Sequence, residues 1–138
     1  MKKLILIVAF AGFLSSSYAQ SMMAGDVPVA VTKAFTRTHP KTDAVEWNKV
    51  GDFYKASYKA DTRNASVTYT TKGKLKETEM EISVASLPTA VIKYLNENHP
   101  AETVKKASKV TSAAGKTIYN VRIKDMDMSF GSNGKILK

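Results

Sequence analysis

A fourteen-residue segment occurs twice in this chain, 60 positions apart. Val27–Pro40 reads VPVAVTKAFTRTHP and Leu87–Pro100 reads LPTAVIKYLNENHP. Pro28, Ala30, Val31, Lys33, His39 and Pro40 recur as Pro88, Ala90, Val91, Lys93, His99 and Pro100. Val27/Leu87 and Phe35/Leu95 exchange one apolar residue for another. The tails of the two units also correspond: Val67-Thr68-Tyr69 with Gly73-Lys74-Leu75 matches Met128-Ser129-Phe130 with Gly134-Lys135-Ile136. A repeat of this length is one supersecondary unit used twice. The fold must therefore place the same order of elements twice within 138 residues, a length that suits one compact domain or two small halves sharing a core.

The spacing predicts a helix at the start of each unit. Val27, Ala30, Val31, Ala34 and Phe35 fall on one helical face, as do Leu87, Ala90, Val91, Tyr94 and Leu95. Asp26 and Ser86 are expected to cap the starts, and Pro28 and Pro88 suit a first turn that needs no N–H. Pro40 and Pro100 push the preceding residue out of the α region, so His39 and His99 close the helices. The period then changes to two. Val45 and Trp47, then Tyr54, Ala56 and Tyr58, then Val67 and Tyr69, then Met80 and Ile82 alternate with polar residues. In the second unit Tyr119, Val121 and Ile123, then Met126, Met128 and Phe130, do the same. Such alternation marks strands with one buried and one wet face. Lys72-Gly73 and Asn133-Gly134 signal hairpin turns. Asp61 to Asn64 reads as a longer polar loop, and Asp125 as part of a tight turn. The expected fold is α+β: two tandem units of one helix plus about four antiparallel strands, joined edge to edge into a continuous open sheet with the helices on one face.

Lys2 and Lys3, the apolar run Leu4–Leu14 and the small residues Ser17 and Ala19 form the pattern of a secretory signal peptide covering residues 1–19. The run is too short to span a bilayer, and nothing later in the sequence approaches that length. The expected mature chain is therefore residues 20–138, periplasmic or secreted, with repeats at about 26–82 and 86–138. Removing Lys2 and Lys3 lowers the formal charge from +9 to +7. A positive balance favours acidic partners. The basic residues are dispersed, however, and Arg37, Arg63 and Arg122 lie far apart, so no nucleic-acid-binding block is present.

The chain has no cysteine. That excludes disulfide scaffolds, thiolate metal sites and Cys nucleophiles. His39 and His99 are the two histidines. Without a third ligand they make a poor metal site, and a His at a helix end suits the negative pole of the dipole. Glu77, Glu79 and Glu81, and likewise Asp125 and Asp127, show the i, i+2 spacing of a wet strand face, with no Gly-punctuated calcium loop beside them. No nucleophile-elbow, P-loop, zincin or dinucleotide fingerprint occurs. No cofactor, no metal and no catalysis are expected.

The stretches VPVAVTKAFTRTHP, VEW, YKASY and TYTTKGKL, followed by LPTAVIKYLNENHP, YNVRI and MSFGSNGKIL, resemble the PepSY-like, or β-lactamase-inhibitor-like, domains of exported Bacteroidetes proteins. The resemblance covers about Val27 to Lys138. It implies two units of one helix plus four strands, as in the β-lactamase inhibitor protein, and no assigned function. His39 and His99 depart from it, since the residue before the second proline is often Tyr in that family. The expected function is a non-catalytic binding or inhibitor-like module that uses the open sheet face. Its candidate site residues are Trp47, Phe53, Lys55, Lys59, Arg122 and Lys124, with Ser57 and Asn120 on the same face. An acidic periplasmic or secreted protein is the expected partner, because Trp and Arg are common interface anchors and cations attract acidic surfaces. The alternative is an envelope protein in weak contact with anionic lipid or glycan.

Overall fold

Each strand of this protein pairs with its neighbours in sequence. The computed structural model describes residues 20–137, so the expected signal segment, residues 1–19, lies outside the described residues. Strands β1 (Gln20–Met22), β2 (Glu46–Val50), β3 (Phe53–Ala60), β4 (Arg63–Thr70), β5 (Leu75–Ile82), β6 (Val104–Ser112), β7 (Thr117–Ile123) and β8 (Met126–Gly131) form one antiparallel sheet in the order β1 to β8. Helix α1 (Val29–Thr38) follows β1, and α2 (Thr89–Asn98) follows β5. A 3-10 turn precedes each helix, Ala24–Asp26 and Val84–Ser86. The order 3-10 turn, helix and antiparallel strands is thus run twice, with β2 to β5 after α1 and β6 to β8 after α2. The halves join where β5 pairs with β6, from Glu77↔Ser112 to Ile82↔Ala107.

Val31 and Phe35 of α1 are buried against Trp47, Tyr54, Ala56, Val67 and Tyr69. Val91 and Leu95 of α2 are buried against Ala107, Val121, Ile123, Met128 and Phe130. The register places all these strand residues on one face, so both helices cover the same side. Each large apolar side chain so buried contributes about 1.5–3 kcal/mol. Thr78 and Met80 of β5 face Thr111 and Lys109 of β6 on that side, yet these four belong to neither core. Met80 is 42% exposed there.

The repeated glycines have a packing reason. Gly73 and Gly134 both adopt φ +79°, and a Cβ on either would lie 2.4 Å from the Ala30 carbonyl oxygen or 2.8 Å from Ala90. The hairpin turn after the third strand of each half sits directly on the helix, and only Gly on the turn opposite a small residue on the helix allows that approach.

Several local expectations are corrected. Asp26 and Ser86 do not cap the helices: Pro28 and Pro88 hold the N-cap positions with no side-chain cap bond, and the Ser86 hydroxyl pairs with Ser83 at 2.8 Å. Pro28 and Pro88 supply carbonyls to the first turn instead (Val31 N–H at 2.9 Å, Val91 N–H at 2.9 Å). The Asp61–Asn64 loop is a two-residue turn, Asp61-Thr62, because Ala60↔Arg63 and Lys59↔Asn64 continue the ladder. Asp61 takes φ 55°, which a short polar side chain tolerates. In the second half the fourth strand is reduced to a bridge, Phe130↔Ile136.

Candidate functional site

The face of the sheet away from the helices carries a groove of about 700 Å³. Its floor is made by short polar side chains of β3, β4 and β6: Ser57, Asn64, Ser66 and Ser108. Ser66 and Ser108 are 7% and 4% exposed. Alternation puts them there, since Ala65, Val67 and Ala107 point into the cores on the other face. Charged side chains rise around the floor: Glu46 on β2, Lys55 and Lys59 on β3, Glu79 and Glu81 on β5, Lys106 on β6.

Glu79 is held from two sides. Ser108 Oγ donates to its Oε1 at 2.6 Å, and Lys55 Nζ lies 3.7 Å from its Oε2. The Asn64 amide donates to Glu81. Lys59 and Lys106 make no ion pair among the described residues. Further along the face, Ser129 Oγ donates to the Asn120 side chain at 2.7 Å, and Arg122 clamps Asp127 with two bonds of 2.7 Å. Those bonds hold the Asp127 carboxyl below the usual range. Such a surface offers a partner both donors and acceptors in fixed places.

The six candidate residues divide. Lys55 and Lys59 line the groove. Phe53 is half-buried on the same face, but the Lys76 ammonium sits 3.7 Å from its ring centroid and covers it. Arg122 is on the face, engaged by Asp127. Two assignments are corrected. Trp47 is 6% exposed and packs edge-on to Phe35 in the first core at 5.5 Å, because the odd positions of β2 face the helix. Lys124 falls in the β7–β8 turn with φ 52° and reaches Glu102 behind α2 at 3.2 Å, not the open face. Sequence reasoning missed Asn64, Ser66, Ser108, Glu79, Glu81 and Lys106 as groove residues. The polar alternation of Asn64, Ser66 and Thr68 was a readable signal for the floor, but the pairing of β5 with β6 that brings Ser108 to Glu79 was not.

The charge of this face also differs from expectation. Its cations are Lys55, Lys59, Lys76, Arg122 and Lys106, and its carboxylates are Glu46, Glu77, Glu79, Glu81 and Asp127. Five oppose five, with Lys105 set aside at the unpaired bulge of β6, so most of the positive surplus of the described residues lies on the helix side and in the turns.

The two histidines have chain partners. His39 stacks on Phe35 (4.6 Å, 6°), with Nδ1 2.7 Å from Thr38 Oγ1 and Nε2 2.9 Å from the Tyr58 hydroxyl. His99 Nδ1 is 3.1 Å from Glu102. Among the described residues, no group of three His, Asp or Glu side chains is placed to hold a metal.

Two helices on one face of an eight-stranded antiparallel sheet, with the other face bare and grooved, define a fold class shared with several solved structures. A protein of Bacteroides eggerthii described as "putative periplasmic" matches at 15% identity and TM-score 0.76, over 81% of this chain and 86% of that one. A DUF2874 family protein of Bacteroides uniformis matches at 17% and 0.73, over 80% and 86%. A BLIP-like protein of Bacteroides fragilis matches at 24% and 0.63, over 79% and 82%. At these identities the likeness is one of fold. The chain belongs to the family described as "putative beta-lactamase-inhibitor-like, PepSY-like", whose model matches residues 17–77 and again 53–138. No curated protein matches it. Among the described residues, no helix is long and apolar enough to cross a membrane.

Proposed function

We propose that this chain is an exported, periplasmic or secreted, non-catalytic binding module that grips another protein with its open sheet face. In this reading residues 1–19 are removed on export, and residues 20–138 form the working domain of two repeats. The observation that carries it is the groove itself: about 700 Å³ of space over buried hydroxyls, edged by ammonium and carboxylate groups, of which Lys55, Glu79 and Glu81 are held by neighbours. Relatives of the same fold described as periplasmic or BLIP-like support the location and the binding role. The balanced charge of the face changes the expected partner. Complementarity here lies in matching alternate cations and carboxylates, not in bulk acidity.

The test is capture from envelope extract at about 0.15 M salt, where the screening length is roughly 8 Å. Residues 20–138 serve as bait, with a Ser57→Trp variant to fill the groove and Lys33→Glu on the exposed side of α1 as control. A partner held by wild type and by Lys33→Glu, but lost by Ser57→Trp, supports the reading. A partner lost equally in both variants overturns it.

A further inference from the structure

The charge surplus that the open face lacks has a place to act. On the helix side, α1 packs across β2 to β4 and α2 across β6 to β8, an offset of four strands, as their core partners show. Strands lie about 4.8 Å apart, so the helix axes are separated by about 19 Å. Packed helices approach to about 8–10 Å. The difference leaves a valley about one extended chain wide, floored by Thr78 and Met80 of β5 and Lys109 and Thr111 of β6.

Its walls follow from the helix wheel. Ala30 of α1 touches the β4–β5 turn at Gly73, and the helix wheel puts Arg37, seven residues on, on that same flank. On α2, Tyr94 packs on Phe130 of β8 and Ala90 on Gly134, which leaves Ile92 and Asn96 for the flank facing β5. Lys72 and Lys74 flank Gly73 at one mouth. Lys116, in the β6–β7 turn, joins them there, since that turn is tied to β5 by the Ala113 N–H to Lys76 carbonyl bond of 2.9 Å. Lys109 therefore stands beside the exposed Met80 on the floor, Arg37 on the α1 flank, and Lys72, Lys74 and Lys116 at one mouth, while Glu102, bonded to His99 on the α2 flank, is already engaged by Lys124.

We infer that this inter-helical valley is a second binding surface, and that its occupant is an extended acidic polypeptide segment carrying interspersed apolar residues. Charge complementarity favours acid, and the apolar Met80 between Thr78 and Lys109 favours alternation of acidic and apolar side chains. The recessed floor favours a chain over a bilayer, because a flat membrane meets the helix crests about 10 Å above it.

The probe is a fluorescein-labelled peptide of alternating Glu and Leu, about eight residues long to match β5, titrated by anisotropy into residues 20–138. Saturable binding is expected, weakened at least about tenfold by Arg37→Glu with Lys109→Glu and less than about twofold by Lys59→Glu with Lys106→Glu on the open face. Arg37→Lys with Lys109→Arg should restore it, and circular dichroism of the Gln versions of the valley pair shows whether the fold is intact. Equal weakening by both Glu pairs would show diffuse attraction and overturn the inference, as would the absence of saturation. Loss of binding to phosphatidylglycerol vesicles in the valley pair, with peptide binding unchanged, would assign the surface to lipid and overturn it too. Because the open-face pair is the control, failure here leaves the groove reading standing, and the reverse also holds.

Discussion

The two halves share a backbone plan but fill it differently. The register makes Trp47 the counterpart of Ala107, since each is the residue of the first post-helical strand that pairs inward, with Ala56 and with Val121. Phe35 corresponds to Leu95, Tyr58 to Ile123 and Tyr69 to Phe130. In the first half the bulk over the core comes from the sheet, as Trp47 meets Phe35. In the second it comes from the helix, where Tyr94 replaces Ala34 and meets Phe130 at 5.2 Å. The repeat thus keeps the residues that fix the chain path (Pro28/Pro88, Ala30/Ala90, Gly73/Gly134) and lets large side chains trade places, as close packing requires only that the volume be filled once. The β3–β4 hairpin is also two rungs longer than β7–β8, by Lys59↔Asn64 and Ala60↔Arg63. Lys59 and Asn64 line the groove, so the candidate site rests partly on a feature with no twin.

This comparison can be broken, and most readily at its largest fillers. Trp47→Ala should cost about 3–5 kcal/mol and Tyr94→Ala, half-buried, about 2 kcal/mol, measured by urea unfolding. Equal losses would mean the halves are filled alike. Gly73→Ala should cost about 2–3 kcal/mol, and Gly134→Ala somewhat less, because the first clash is closer, at 2.4 Å against 2.8 Å. A reversed order would show that the second turn is the tighter clasp. Deleting Lys59, Ala60, Arg63 and Asn64 converts the longer hairpin into the shorter one. The variant should lose about 1 kcal/mol, fold, and lose any ligand of the groove; failure to fold would make the extra rungs structural.

The smallest effect separates the halves by pH. Burial raises the Tyr58 and Tyr69 phenols, both in the first half. A raised acid stabilises the fold below its unfolded pKa of about 10, and that stability is lost as pH rises through the folded value. In the second half, hydrogen bonds from Arg122 lower Asp127, and the hydrogen bond from Lys124, followed by its charge and His99, lowers Glu102. Lowered carboxyls stabilise above about pH 4, and lose that contribution as pH falls through the folded values. Tm against pH should therefore lose part of its alkaline slope in Tyr58→Phe and part of its acid slope in Asp127→Asn. The acid effect stays under about 1 kcal/mol, since that pair is exposed.

Much of this architecture was legible because it is written in local periodicity. The proline brackets fixed both helices to within two residues, and alternation located β2 to β5, β7 and β8. Strand β6 escaped. A bulge after Val104 breaks its phase, and Lys109 occupies the inward position over the uncovered strip between the helices, where no apolar residue is demanded. The site was less legible, since its decisive pairs, Ser108 with Glu79 and Lys55 with Glu79, join residues that only strand pairing brings together. Trp47 was misplaced because its alternation shows burial on one face without saying which partner covers that face.

The strictly sequential strand order has a mechanical side. Residue 20 starts one edge strand and residue 137 follows the opposite one, so tension applied between them acts across the strands, along the ladder hydrogen bonds. Load in that direction falls on one rung at a time, as in a zipper, and not on a whole strand in shear. Such a sheet peels at low force from either edge, and the β5–β6 junction, deep in the middle, is the last to feel the pull.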